Sequence, residues 1–114
     1  MERSLDALME LDEEALLQEL GREVVHFLGA PLTPKQLESI AKKWLQGKAE
    51  FISEKVCTSD KVYELINNEG YSKELILAIC DLIMTIQFGI SPLLVAVLVV
   101  KGGIKKICEA YWRV

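Results

Sequence analysis

The sequence has few of the residues from which catalytic and metal sites are usually built. It contains one histidine, His26, and three cysteines, Cys57, Cys80 and Cys108, among 114 residues. A single histidine excludes any site that needs two imidazoles, and the cysteines lack the close pairs that bind zinc. We therefore predict neither a metal site nor a bound cofactor.

The cysteines also lack the pattern of a disulfide framework, because they are odd in number and far apart. We expect Cys80 and Cys108 to be small apolar core residues, and we expect no reactive thiol at Cys57. The chain opens with Glu2 and Arg3 and then an acidic stretch, without the basic and apolar regions of a secretory signal. These features together predict a cytoplasmic protein.

Catalytic and phosphate-binding constellations are missing as well. His26 has only its helical neighbours Arg22 and Glu23 beside it in the sequence, and general-base catalysis needs a partner that the fold would have to supply. The Gly102–Gly103 pair lacks the strand context and the lysine of a phosphate-binding loop. We predict that the protein is not an enzyme.

The charge of the chain argues against nucleic-acid binding. The formal net charge is −4 and the sequence pI is about 5.0, whereas binding to phosphates needs clustered basic side chains. Residues 32–41 resemble the opening helix of many helix-turn-helix proteins. However, the helical period continues through Trp44 and Leu45, where that motif needs a turn and a basic recognition helix.

Helix signals, by contrast, are abundant. Thr33, Pro34 and Gln36 form the pattern of a capping box with proline in the first helical position. Other predicted N-caps precede apolar periodic stretches and are Ser4, Asp12, Ser59 and Ser91. The predicted helices cover 4–28 (as one helix or two), 34–57 with a possible bend at Gly47, 59–69, 73–88 and 92–112, with a close crossing or kink possible at Gly102–Gly103.

The last two of these helices are unusually apolar. Hydrophobic residues make up 51% of the chain, and between residues 75 and 100 the only polar side chains are Asp81, Thr85, Gln87 and Ser91. The sequence Gly89-Ile90-Ser91-Pro92 predicts a corner that folds the two helices into a hairpin. We predict an all-α fold: a compact antiparallel bundle of about five helices, one domain over 1–114, with this hairpin buried.

Two candidate sites follow from the apolar hairpin. The first is an interface for a partner or a second copy of the chain, formed by Leu93, Leu94, Val97 and Leu98; the alternative is that these residues are interior. The second is Asp81, since a carboxylate in apolar surroundings must be paired, solvated or protonated. The alternative for Asp81 is a position on the rim of a thin polar stripe.

These features predict a small protein–protein interaction module, such as an adaptor, regulator or accessory subunit, that self-associates through its C-terminal helices. A first alternative is a membrane-associated protein that inserts the 75–100 hairpin and contacts lipid headgroups through Lys101, Lys105 and Lys106. A second alternative is a bundle that binds an apolar ligand near Asp81, Trp44 or Trp112.

Overall fold

The computed structural model describes residues 4–25, 32–68, 73–84 and 90–112. Within these ranges all regular structure is helical and forms seven helices. The helices are α1 (Leu5–Glu10), α2 (Glu13–Val24), α3 (Pro34–Val56), α4 (Asp60–Asn68), α5 (Lys73–Leu82), α6 (Pro92–Lys101) and α7 (Ile104–Trp112). The all-α prediction is confirmed, and the radius of gyration of 13.8 Å is that of a compact body.

All five predicted N-caps are confirmed. Each side-chain oxygen accepts a hydrogen bond from the backbone N–H three residues later, which satisfies a donor that has no partner within the helix. At Thr33 the bond is reciprocal: the Gln36 N–H lies 3.2 Å from Thr33 Oγ1, and the Thr33 N–H lies 2.8 Å from Gln36 Oε1. The other four caps are Ser4 (3.3 Å), Asp12 (2.8 Å), Ser59 (3.3 Å) and Ser91 (3.3 Å).

The described residues form seven helices rather than about five, because the N-terminal stretch, predicted as one helix or two, forms two, and the predicted last helix is interrupted. Leu11 is extended, with ψ of 145°, so the N-terminal stretch forms α1 and α2. Gly103 has φ of 97°, which favours glycine and stops the last helix after Lys101, so α6 and α7 are separate. The predicted 92–112 helix is therefore two helices, and the glycine pair marks the break.

The first half of the bundle is built on α2 and α3, which pack against each other. The 23-residue helix α3 runs without interruption through Gly47. In α2, Gly21 is buried where the backbone of Leu37 approaches it. A close crossing of two backbones therefore positions these helices.

The centre of the core is α6, in which all side chains from Leu94 to Val100 are buried. This helix packs against α5, as the predicted hairpin requires, and also against α1, α2 and α7. Helix α5 ends at Leu82, earlier than the predicted residue 88, and the predicted corner begins within residues 85–89, outside the described part of the chain. His26, which the sequence analysis considers as a general base, also lies outside it.

Helix length and composition bear on the membrane alternative. Among the residues that the structure describes, no helix combines the length and the hydropathy needed to cross a bilayer.

Candidate functional site

The face predicted as an interface is interior. Leu94, Val97 and Leu98 are 2%, 0% and 4% exposed, and only Leu93 is half-buried. The reason is that α6 is covered by several helices rather than by one neighbour, so the excess of apolar side chains fills the core. In this fold, Leu94 and Val97 have no surface to offer a partner, and Leu98 is reached only from a groove between helices.

Asp81 lies on the exposed side of α5. The apolar surroundings that its sequence context suggested are therefore absent, and its position agrees with the alternative of a polar rim. Trp44 and Trp112 are both half-buried and pack against the core at separate places. None of Asp81, Trp44 and Trp112 lines either of the two concavities described below.

An apolar groove lies instead between α3 and the C-terminal helices. It has a volume of about 280 Å³, and helices α2, α3, α6 and α7 together with the α6–α7 junction form its walls. The lining residues are Glu13, Leu17, Leu45, Gln46, Ala49, Ile52, Ser53, Leu98, Val99, Gly102 and Ile107. We call this feature the apolar groove.

The groove owes its shape to the spacing of residues on α3. Leu45, Ala49 and Ile52 recur at steps of four and three, which places them on one side of a helix. Ala49 is exposed and has only a methyl group, and Gly102 on the facing wall has no side chain. Because these two residues are so small, the space between the walls is left unfilled at their positions.

The floor and the rim of the groove differ in character. The floor consists of buried core residues such as Leu17 and Leu98, so it is fixed by the packing of the bundle. At the rim, Ile107 is 41% exposed, and Glu13, Gln46 and Ser53 supply polar atoms. An apolar floor with a few polar groups at the edge is typical of a binding site.

A second, wider concavity adjoins the groove at Gln46. Its volume is about 520 Å³, and it is lined by Glu14, Lys35, Glu38, Ser39, Lys42, Lys43 and Gln46. Both charge signs are present and most of these side chains are exposed, as expected for a solvated surface between α2 and α3. We assign no site to this concavity.

The cysteines correct the prediction of no disulfide. Cys57 and Cys108 form a disulfide bond with a Cα–Cα distance of 5.1 Å, across 51 residues of sequence. The interpretation of Cys108 as a simple core residue is therefore wrong, although it is fully buried. Cys80 is half-buried and takes no part in this bond. Cysteine usage thus no longer argues for a reducing compartment, and the cytoplasmic location stays a prediction.

Two contacts accompany the disulfide. The indole Nε1 of Trp112 donates a hydrogen bond to the backbone oxygen of Cys57 at 2.6 Å. The ring of Trp112 also meets the ring of Tyr63 edge to face, with centroids 4.8 Å apart. We call the disulfide and these two contacts the C-terminal cluster. It joins α7 to the end of α3 and to α4, and sequence reasoning missed it.

Among the residues that the structure describes, no group of three or more His, Cys, Asp or Glu side chains is arranged to hold a metal ion. Comparisons with protein-family models, with curated proteins and with solved structures all gave no match.

Proposed function

We propose that this chain is a small helical interaction module that binds a protein partner through the apolar groove. The observation that carries the proposal is the groove itself: buried leucine and isoleucine side chains form an open floor between four helices. Apolar surface left open to water costs free energy, and a partner that covers it recovers this cost.

The dimensions of the groove favour a protein partner. Small-molecule pockets commonly have about 300–1,000 Å³, so the groove is at the lower limit of that range. Such a volume suits one or two large side chains that anchor a partner helix, as in other complexes where a helix lies in a groove. Gln46 and Ser53 at the rim support this proposal, because polar side chains can form hydrogen bonds with the groups around such anchors.

A second copy of the chain is one candidate partner. The described part of the surface carries four large exposed apolar side chains: Tyr63, Leu77, Met84 and Ile107. Ile107 belongs to the groove, whereas Leu77 and Met84 are about two turns apart on and just after α5. Self-association through the original α6 face would require the core to open, so these exposed residues are the better candidates.

The groove also favours an apolar ligand as a second function, because an alkyl chain has the same chemistry as an anchoring leucine. Insertion of the 75–100 hairpin into a membrane has less support. It would require seven consecutive buried residues of α6 to leave the core.

Site-specific photo-crosslinking tests the proposal. A diazirine amino acid is placed at Ala49, which lines the groove, or at Glu54 as the control. Both positions are exposed on α3, and at about 100° per residue they are roughly 140° apart around the helix. The full chain is irradiated in its native cells and the adducts are identified by mass.

A protein adduct from position 49 that is absent from position 54 supports the proposal, and an adduct of twice 12.8 kDa identifies a second copy. The Ala49→Arg variant should abolish the adduct formed by a probe at Gln46, whereas Glu54→Arg should leave it unchanged. No adduct at position 49, or equal adducts at both positions, contradicts the proposal. A small-molecule adduct at position 49 supports the apolar-ligand function instead.

A further inference from the structure

The C-terminal cluster joins the described part of α7 to the corner between α3 and α4 by three contacts. The disulfide joins the middle of α7 to Cys57, the residue that caps the end of α3. One turn further along α7, Trp112 bonds to the backbone oxygen of the same Cys57 and packs against Tyr63. One residue at the end of α3 thus receives both the covalent and the polar attachment of α7.

Apart from the cluster, α7 is held by the burial of Ile104 and by its packing against α3 and α6. It has nine residues, and isolated helices shorter than about 12–15 residues are marginal in water. The preceding residue, Gly103, has φ of 97° and no atom within 4 Å of the position of a Cβ. The chain therefore turns between α6 and α7 at a glycine whose backbone conformation other residues rarely adopt, and no side chain fills the space beside it.

We propose that the Cys57–Cys108 disulfide is a redox-controlled attachment, and that its reduction releases α7 from the bundle while the other helices stay folded. The reductant is a dithiol. One of its thiolates attacks a disulfide sulfur and forms a mixed disulfide, and its second thiol then displaces the protein sulfur. Two electrons and two protons pass to the protein, which gains two thiols, and the dithiol becomes a cyclic disulfide.

Release of α7 has a direct consequence for the apolar groove. Ile107 leaves one wall of the groove, and Ile104, which is 4% exposed, is withdrawn from the core. The groove becomes wider and more apolar when the protein is reduced. This consequence rests on the proposed function, whereas the release of α7 does not.

Both cysteines are almost completely buried, at 3% and 0% exposure. A dithiol therefore reaches the sulfur atoms only in molecules in which α7 has moved away transiently. We expect reduction to be slow and its rate to become independent of dithiol concentration at high dithiol, because the movement of α7 then limits the rate.

Hydrogen exchange measured by mass spectrometry tests the release. The full chain is compared before and after treatment with dithiothreitol, and alkylation confirms two new thiols. We expect peptides from α7 to exchange at least about thirtyfold faster after reduction, which corresponds to the lower end of the contribution of one disulfide. Peptides from α2, α3 and α5 should change little. Unchanged exchange in α7, or equal acceleration in all helices, overturns the proposal.

Two variants keep the test decisive. Cys80→Ser retains the disulfide and should respond to dithiothreitol as the parent chain does. The double variant Cys57→Ser, Cys108→Ser should show fast exchange in α7 with or without the reductant. The two proposals can fail independently. If crosslinking at Ala49 fails, the release of α7 on reduction is unaffected. If α7 stays in place after reduction, the crosslinking result is unaffected.

Discussion

Gly21 in α2 lies directly against the backbone of Leu37 in α3. A Cβ atom built on Gly21 would be 2.9 Å from Leu37 Cα and 2.8 Å from its carbonyl carbon, closer than real Cβ atoms come to their neighbours. The atoms that the Cβ would meet belong to the Leu37 backbone rather than to the end of a flexible side chain, so they cannot move away by a change of rotamer. The two helices are this close because residue 21 has no side chain.

The Gly21→Ala substitution should therefore destabilise the protein, although alanine is the better helix former. Overpacking a well-packed site typically costs about 1–3 kcal/mol, and here α3 must move as a whole. Urea unfolding followed by circular dichroism measures the change in the free energy of unfolding. A variant as stable as the parent chain would show that α2 and α3 do not cross this closely.

Gly47 provides a matched substitution, for which the expected change in stability has the opposite sign. It lies inside α3, and no atom is within 4 Å of the position of its Cβ. Gly47→Ala should stabilise the protein by about 0.8–1 kcal/mol, because alanine loses less backbone entropy in a helix. The same urea experiment checks it, and a loss of stability would mean that α3 is bent or interrupted at this residue.

The capping box at Thr33 should contribute measurably to stability. Thr33→Ala removes the oxygen that accepts from the Gln36 N–H, and such a loss typically costs about 1 kcal/mol. Gln36→Ala removes the reciprocal bond to the Thr33 N–H. Because both bonds join the same two residues, the loss of unfolding free energy in the double variant should differ from the sum of the losses in the two single variants. Strict additivity in this double-mutant cycle would contradict the coupling.

These caps explain why the helix starts were predictable from the sequence. A Ser, Thr or Asp before an apolar periodic stretch acts through its own side chain on backbone three residues away, so the signal is local. At Gly102–Gly103 the sequence predicts a close crossing or a kink, whereas the structure has a complete break between α6 and α7, with Gly103 at a positive φ.

Features that depend on which helices meet were not predictable in this way. The sequence leaves open whether the surplus of apolar side chains on α6 is surface or interior, because each earlier helix offers only one apolar stripe. The fold surrounds α6 with several of those stripes at once. The pairing of Cys57 with Cys108 likewise requires α3 and α7 to be neighbours, and the spacing of cysteines along the chain does not contain that information.

The start of α6 is fixed by a long-range hydrogen bond that should be measurable. The N–H of Ser91 donates to Glu23 Oε1 at 2.6 Å, and this places a carboxylate at the N-terminus of α6. Glu23→Ala should cost about 1.5–3 kcal/mol, as expected for a hydrogen bond to a charged group. Glu23→Gln keeps an acceptor oxygen and should cost less.

Glu64→Ala on α4 is the control for this experiment, because Glu64 is exposed and its removal should change stability by less than about 0.5 kcal/mol. Urea unfolding of the three variants gives the comparison. If Glu23→Ala and Glu64→Ala have the same effect, the bond to Ser91 does not position α6.

One pair of leucines tests whether α6 is interior. Leu94 is 2% exposed and Leu77 is 49% exposed, so the same substitution to alanine probes both environments. Leu94→Ala should cost about 2–5 kcal/mol, since it leaves a cavity as well as removing buried apolar surface, whereas Leu77→Ala should cost less than about 0.5 kcal/mol. If α6 were instead a surface that binds a second copy, Leu94→Ala would leave the monomer stable and weaken self-association. Urea unfolding combined with light scattering at several concentrations separates these outcomes, because a core defect lowers stability at every concentration.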